Sequence, residues 1–473
     1  MAFPRPIPAL LLACAGFALA AAPAPARQDG WQRDPRNLLA GFRNMYQPHV
    51  VEVPGAAWPY RMWFFGWAVA DCNPGSPGCD AIYTARSLDL VNWEVWAGNG
   101  VWDAGGNPAL WAPVLTAGNQ FFDQWHSGDP SVVLHQGTWY MAYTATGFDQ
   151  DGIPGGAAGD TDGWLSGIMG ATSPDGIHWT KSAAPILIHP ADIGRQEFFL
   201  PDGSLDPNFT GEFARPSLMW DGDHWRLWFD YWLIHVGGIS MAHAENFGDP
   251  MNPADWSVTH SLASPLIQNW PNPDVVRFGG VYYSFADPVG YPCAGQSPWT
   301  CRQPKGAVSR DGITWFPWED FVAPDADAPA IQVPELFVRR GNGRPELYLF
   351  YATQIGGQPY DFRYNRIRAM KRPIRRGDLF LLASPRDPLA GGTVAFTTRW
   401  APAGTPAALF LVNEAPGAAL RRRVAAGLFG AGETWTASLR IPPRAAGRTL
   451  RFRTFAKPPA APAQSSIETV TVR

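Results

Sequence analysis

Charge is scarce in this chain: Asp, Glu, Lys and Arg make up 16% of its 473 residues, against about 25% in ordinary globular proteins. That scarcity excludes the long charged helices of coiled coils. An excess of basic residues is missing too, and the net charge of −4 lacks the electrostatic footprint of a nucleic-acid binder. No internal apolar run reaches the roughly 18 residues that a transmembrane helix requires. In their place stand 46% hydrophobic residues, 13% aromatics with 23 Trp, 49 Gly and 47 Pro. Such a chain is folded, turn-rich and aromatic, and its length gives a prior of two or three domains.

Residues 1–26 read as a signal peptide. Arg5 precedes an apolar stretch from Ile7 to Ala22, with small-residue cleavage sites near Ala20–Ala22 or at Ala24-Pro25-Ala26. Leu12-Ala13-Cys14 offers an alternative, a lipoprotein box in which Cys14 is a lipidated anchor. Either reading takes the protein out of the cytoplasm, secreted or periplasmic. The remaining cysteines, Cys72, Cys79, Cys293 and Cys301, form two local pairs in loops rich in Gly and Pro. Four cysteines allow three connectivities, and local pairing into two disulfides suits an oxidising compartment. Neither pair has the C-x2-C spacing or adjacent His of a zinc site.

After a lead-in at 27–46, one short pattern recurs five times: a residue, Pro, another residue, then two apolar residues. The copies are Gln47-Pro48-His49-Val50-Val51, Asp129-Pro130-Ser131-Val132-Val133, Arg215-Pro216-Ser217-Leu218-Met219, Asn272-Pro273-Asp274-Val275-Val276 and Val333-Pro334-Glu335-Leu336-Phe337. A turn and a second, aromatic strand follow each copy, which predicts five β-hairpins. A third strand ends in a Ser-x-Asp turn followed by Trp, at Ser87 to Trp93, Ser173 to Trp179 and Ser309 to Trp315. Ser and Asp side chains hydrogen-bond turn backbone, while the Trp buries its ring between sheets. A unit of this kind cannot bury both faces alone, so five of them predict an all-β, five-bladed β-propeller over residues 47–378. Both cysteine pairs fall between the second and third strands of their units. Residues 379–473 change character, with 12 basic against 4 acidic residues and short alternating runs. They predict a small C-terminal β-sandwich-like domain.

The run from Asp129 to Val133, followed by Gly137-Thr138-Trp139-Tyr140-Met141-Ala142-Tyr143, resembles the opening of a blade in the five-bladed propeller glycosidases. These are the arabinanases and β-xylosidases of glycoside hydrolase family 43, with invertases and levansucrases as relatives. The resemblance spans the five repeats and implies three carboxylates converging on the propeller axis. An Asp general base and an Asp that tunes pKa stand directly before their prolines, and a Glu general acid stands two residues before its own. Glycoside cleavage needs one carboxyl protonated at the leaving oxygen and another ionised to activate water.

This chain departs from that pattern, with Gln47 and Arg215 where two of the acids would stand. Moving the frame by one blade matches Asp129 to the base but puts Asn272 and Gln332 at the other two positions. Acids stand nearby, because Asp274 and Glu335 lie two residues after their pre-proline positions, and residues i and i+2 of a strand share a face. The expected catalytic set is therefore Asp129, Asp274 and Glu335. Gln47, His49, Arg215, Trp270, Asn272 and Gln332 are the expected substrate contacts, Trp270 through sugar stacking. No cofactor or metal is assigned, with a structural calcium in the central channel near His49 as the alternative. The expected partner of a monomeric, secreted hydrolase is a carbohydrate and not a nucleic acid. A glycan-binding propeller without turnover is the competing class, because amides replace two of the acids.

Overall fold

The computed structural model describes residues 31–41, 45–67, 80–118, 123, 126–147, 165–188, 212–233, 238–261, 264–278, 281–288, 302–319, 322, 330–339, 346–354, 365–373, 380–384, 388–399, 404–412, 421–428, 430, 434–456, 463–464 and 468–472. Residues 1–26, expected to be a signal peptide, with Cys14, and the cysteines Cys72, Cys79, Cys293 and Cys301 lie outside them.

Five antiparallel sheets form the ring that the repeats predict. Their innermost strands are Tyr46–Glu52, His126–His135, Glu212–Trp220, Asp274–Phe278 and Gln332–Arg339. Each packs against the next, and the fifth packs against the first, which closes the circle. The core is divided in the same way, with one apolar cluster at each of the five blade junctions. Trp63, Tyr83, Tyr143, Trp228, Tyr283 and Phe350 are fully buried there. A sheet covered on both faces needs large side chains pointing both ways, which accounts for the aromatic second strands. Each such ring contributes about 1.5–3 kcal/mol.

The Ser-x-Asp turns fasten neighbouring blades. Ser173 Oγ accepts the amides of Asp175 and Gly176, and Asp175 Oδ1 accepts those of Ile177 and His178. Ser309 and Asp311 repeat this in blade four. The carbonyl so presented, Gly176 O, accepts from Trp179 within its blade at 3.2 Å and from Trp63 of blade one at 3.1 Å. Gly312 O does the same for Trp315 at 3.0 Å and Trp228 of blade three at 2.8 Å. Both glycines have φ of +76°. A Cβ on Gly312 would stand 2.9 Å from the Trp228 ring, so close approach and left-handed backbone together require glycine.

Ring closure comes from the lead-in segment. Gln32–Arg33 pairs with Asn365–Pro373, so residues ahead of blade one supply the fourth strand of blade five. Beyond the ring, Phe380–Ser384, Thr393–Arg399 and Thr434–Arg440 form one sheet, and Pro406–Val412, Arg421–Leu428 and Thr449–Ala456 belong to a second. Phe396 and Trp435 of the first share a core with Leu409 and Phe452 of the second. Among the described residues, no helix is long and apolar enough to cross a membrane.

Candidate active site

The X-Pro step of every innermost strand carries backbone strain. Gln47, Asp129, Arg215, Asn272 and Val333 have φ of 39°, 51°, 48°, 50° and 43°. None is glycine, and a left-handed non-glycine residue costs about 1–3 kcal/mol. In blades one, two, three and five the strand register slips across this step. The proline supports such a bulge because it has no N–H to leave unpaired and keeps the preceding residue out of the right-handed helical region. Three of the strained residues are tied to the preceding blade through their own amides. Arg215 N donates to Thr144 Oγ1 at 2.7 Å, Asn272 N to Asp230 Oδ1 at 2.8 Å, and Val333 N to Asp287 Oδ2 at 3.0 Å.

Two positions further on, the side chains form a closed ring of bonds between blades. Ser131 Oγ accepts the Leu218 amide and Ser217 Oγ the Val275 amide, both at 2.9 Å. Asp274 Oδ2 accepts the Leu336 amide at 2.7 Å, and Glu335 Oε1 accepts the Val50 amide at 3.2 Å. His49 Nε2 donates to the Val132 carbonyl at 2.9 Å and completes the circuit. That bond leaves the His49 Nδ1 lone pair facing Glu335 Oε1 at 3.2 Å. Burial pushes Glu335 up to about 8, while burial and the Glu335 charge push Asp274 well above the carboxylate range. Burial lowers the pKa of His49. The trio therefore holds protonated carboxyls beside a neutral imidazole.

The same three residues bring one ligand atom each within 4.8 Å of one another. Calcium takes about six to eight oxygen ligands, and this set offers two carboxylates whose oxygens already receive amides. The residues present do not fit a calcium sphere.

The pre-proline side chains differ from that satisfied ring. Among the described residues, Gln47 Oε1, Asp129 Oδ1, Arg215 Nε and Asn272 Oδ1 are buried without a hydrogen-bond partner. They occupy equivalent positions in four consecutive blades, and each unpaired buried polar atom costs about 1–3 kcal/mol. The fifth position is Val333, and Gln332 beside it is 1% exposed.

Asp129 sits in a chain of alternating charge. Its Oδ2 lies 3.9 Å from His126 Nε2, and the other ring nitrogen of His126 bonds Asp80 Oδ2 at 2.6 Å. Arg215 bonds Asp230 at 2.9 Å. Burial alone would raise the Asp129 carboxyl, but the neighbouring His126 and Arg215 cations outweigh this and hold it below the usual carboxylate range. For His126 burial is likewise overcome, here by Asp80 and Asp129, and its pKa rises to about 10. Burial lifts Asp230 to about 7 against the pull of Arg215.

Of the sequence-predicted residues, the structure brings Gln47, Asp129, Arg215 and Asn272 together as the unpaired ring, and His49, Asp274 and Glu335 as the paired one. Trp270 stands apart: it is 4% exposed, packs with Trp228, Val275 and Tyr282, and its indole N–H donates to Ser284 at 2.9 Å. Its ring is core, not an open platform. Sequence reasoning missed Asp80, which reaches His126 from another blade with no motif around it. Asp230 and Asp287, at the ends of second strands, lie outside the repeated pre-proline positions as well. They accept backbone amides, and Asp230 also pairs with Arg215 and Asp287 with Asn272 and Arg302.

No family profile and no curated protein sequence matches the chain. Among solved structures, a thermostable family-43 glycoside hydrolase is similar at 12% identity, with 70% of this chain and 90% of that one covered and a TM-score of 0.46. The Bombyx mori GH32 β-fructofuranosidase BmSUC1 is similar at 14% identity, with 94% and 93% covered and a TM-score of 0.44. Zg3597, a family 117 glycoside hydrolase from Zobellia galactanivorans, is similar at 14% identity, with 72% and 90% covered and a TM-score of 0.44. These are likenesses of chain path; the fold stands on the five closed sheets themselves.

Proposed function

We propose that the protein is an exported glycoside hydrolase that cleaves a poly- or oligosaccharide with inversion, using Asp129 as general base. The observation that supports this best is the ring of unpaired, buried polar atoms around an ionised Asp129. A hydroxyl-rich ligand supplies the donors and acceptors that Gln47, Asp129, Arg215 and Asn272 lack. Opposed pKa shifts in neighbouring carboxyls mark acid and base roles, and here Asp129 is held ionised while Glu335 and Asp274 are held protonated. In the reaction, Asp129 takes a proton from water as that water attacks the anomeric carbon. Glu335, sharing its site with Asp274, gives a proton to the departing glycosidic oxygen, and the Val50 amide stabilises the carboxylate left behind. Inversion sets the base and acid about 6.5–9.5 Å apart.

A second reading has its own support. Asp274 and Glu335 each accept an amide from the next blade, so both have a structural role that needs no chemistry. On that reading the protein is a glycan-binding propeller without turnover. One experiment separates the two. The mature protein is assayed on a panel of aryl glycosides and polysaccharides, with affinity electrophoresis on the same glycans. Sugar release by the wild type that disappears in Asp129→Asn supports the hydrolase. Retardation without release, equal in both proteins, supports the binding module.

A further inference from the structure

We infer that Asp80 and His126 act as a positioning pair that clamps one oxygen of Asp129, leaving Asp129 Oδ1 as the atom that accepts the proton from water. The inference rests on the hydrolytic reading and adds two residues to it.

Asp80 opens the third strand of blade one, and His126 opens the innermost strand of blade two, three residues before Asp129. The pair therefore spans a blade junction. The Asp80 carboxylate fixes His126 Nδ1 at 2.6 Å, so the other ring nitrogen, with its proton, is directed at Asp129 Oδ2, 3.9 Å away. The ring plane is also set by packing. Phe65 meets the imidazole edge-on at 5.5 Å. Gly128 leaves room beside both rings that a side chain would fill, because a Cβ there would stand 2.6 Å from His126 Cε1 and 3.2 Å from Phe65 Cδ1. Asp129 Oδ1 is buried without a hydrogen-bond partner among the described residues.

The two oxygens of this carboxylate are thus distinguished before any ligand arrives. One faces a cation and the other is bare. A fixed carboxylate with one free lone-pair edge is what a general base requires, since misplacement by about 1 Å costs about a hundredfold in rate. Among the described residues, the charged groups around the pair are Asp80, Asp129 and, beyond Asp129, Arg215 with Asp230. Against its burial, Asp80 and Asp129 raise the His126 pKa to about 10, so near neutral pH it orients by charge and does not itself abstract the proton.

The test uses the mature protein and four variants: His126→Gln, Asp80→Asn, Gly128→Ala and Asp129→Asn. With His126→Gln the acid limb of the kcat/KM profile moves to higher pH by about one unit, equivalent to about 1.4 kcal/mol, because the base loses its cationic neighbour. Asp80→Asn keeps the imidazole in place and moves the limb less, and Gly128→Ala lowers kcat with KM little changed. A purely structural role would lower the rate by the same factor at every pH. Ring-15N NMR gives a readout without turnover: the His126 signals stay imidazolium beyond pH 8, and Asp129→Asn lowers the pH at which they titrate. An acid limb that stays put in both His126→Gln and Asp80→Asn, or a His126 that titrates near 6.5 regardless of Asp129, overturns the pair. Full activity in Asp129→Asn overturns the hydrolytic reading instead, so the two failures are distinguishable.

Discussion

Two rings of side chains, two residues apart on the same five strands, have opposite properties. The ring after the prolines (His49, Ser131, Ser217, Asp274 and Glu335) has ordinary backbone and a hydrogen bond to the adjacent blade from every member. The pre-proline ring has left-handed backbone at all five positions and unpaired buried atoms at four. The first ring carries the features of a structure under selection for stability. The second carries strain and unmet hydrogen bonding, which persist only where surrounding structure enforces them and cluster where a ligand is handled. The contrast gives the first ring the work of assembly, with Glu335 and Asp274 serving the proposed chemistry as well, and gives the second ring ligand contact alone.

The sharpest way to break this contrast is Asp129→Asn. Loss of a general base costs about 10²–10⁴ in rate, and initial rates on the best substrate should fall by that much, while the unfolding temperature drops only by what the ionised Asp129 contributes to stability. An equal loss of rate and folding would put Asp129 in the assembly ring instead.

A second effect separates the rings by pH. The folded-state pKa of Glu335 is raised, so its contribution to stability is full below the ordinary value of 4.5 and is lost as pH rises through about 8. Asp230, raised to about 7, acts in the same direction. Asp129 runs oppositely: its depressed pKa contributes stability above 3.8 and loses it as the pH falls below that value. Thermal unfolding should therefore be highest in mild acid and decline between pH 4.5 and 8. Glu335→Gln should flatten that decline, as calorimetry across the range would show. A wild-type stability that rises steadily to pH 8 would contradict protonated carboxyls at the axis.

Much of the ring was legible because its cause is repetitive. An X-Pro step followed by apolar pairs five times over, with Trp-rich second strands, dictates radial packing of sheets that cannot stand alone. The closing strand was not legible: Gln32–Arg33 is two residues long, and nothing in its composition marks it as part of blade five. Asp129 and Arg215 could be found because they occupy the repeated position. Asp274 and Glu335 share the face of their pre-proline neighbours only if the strand is regular, where i and i+2 point the same way. A slip in register lies between these positions in blades one, two, three and five, that of Glu335 among them, and a bulge re-aims side chains. Trp270 was misjudged for a different reason, since one Trp among 23 gives no sign of which ring faces are covered.

Ser217→Ala sharpens the contrast from the side of assembly. It leaves the buried Val275 amide without its acceptor, a loss of about 1–3 kcal/mol. Chemical denaturation should show a lower midpoint with an unchanged slope. Activity below that midpoint should change little, since Ser217 Oγ meets the proposed acid pair only through a long 3.4 Å hydrogen bond to Asp274 Oδ1. A large fall in kcat at full folding would move Ser217 into the ligand ring.

The smallest effect tests the ligand ring where no reacting group is involved. Gln47 stands at the position equivalent to Asp129 in blade one, and its Oε1 is buried and unpaired. If that atom waits for a substrate hydroxyl, Gln47→Ala removes one neutral hydrogen bond, about 0.5–1.5 kcal/mol. KM should rise by about threefold to tenfold with kcat nearly constant, the pattern of a contact made equally in ground and transition states. Folding should respond in the opposite sense to Ser217→Ala, because deleting an unsatisfied polar atom from a buried site relieves a cost and breaks no bond. The unfolding temperature should hold or increase slightly, although Ala at φ 39° is no less strained than Gln. A variant that loses stability while KM is unchanged would mean that Gln47 braces blade one and that the unpaired ring begins at Asp129.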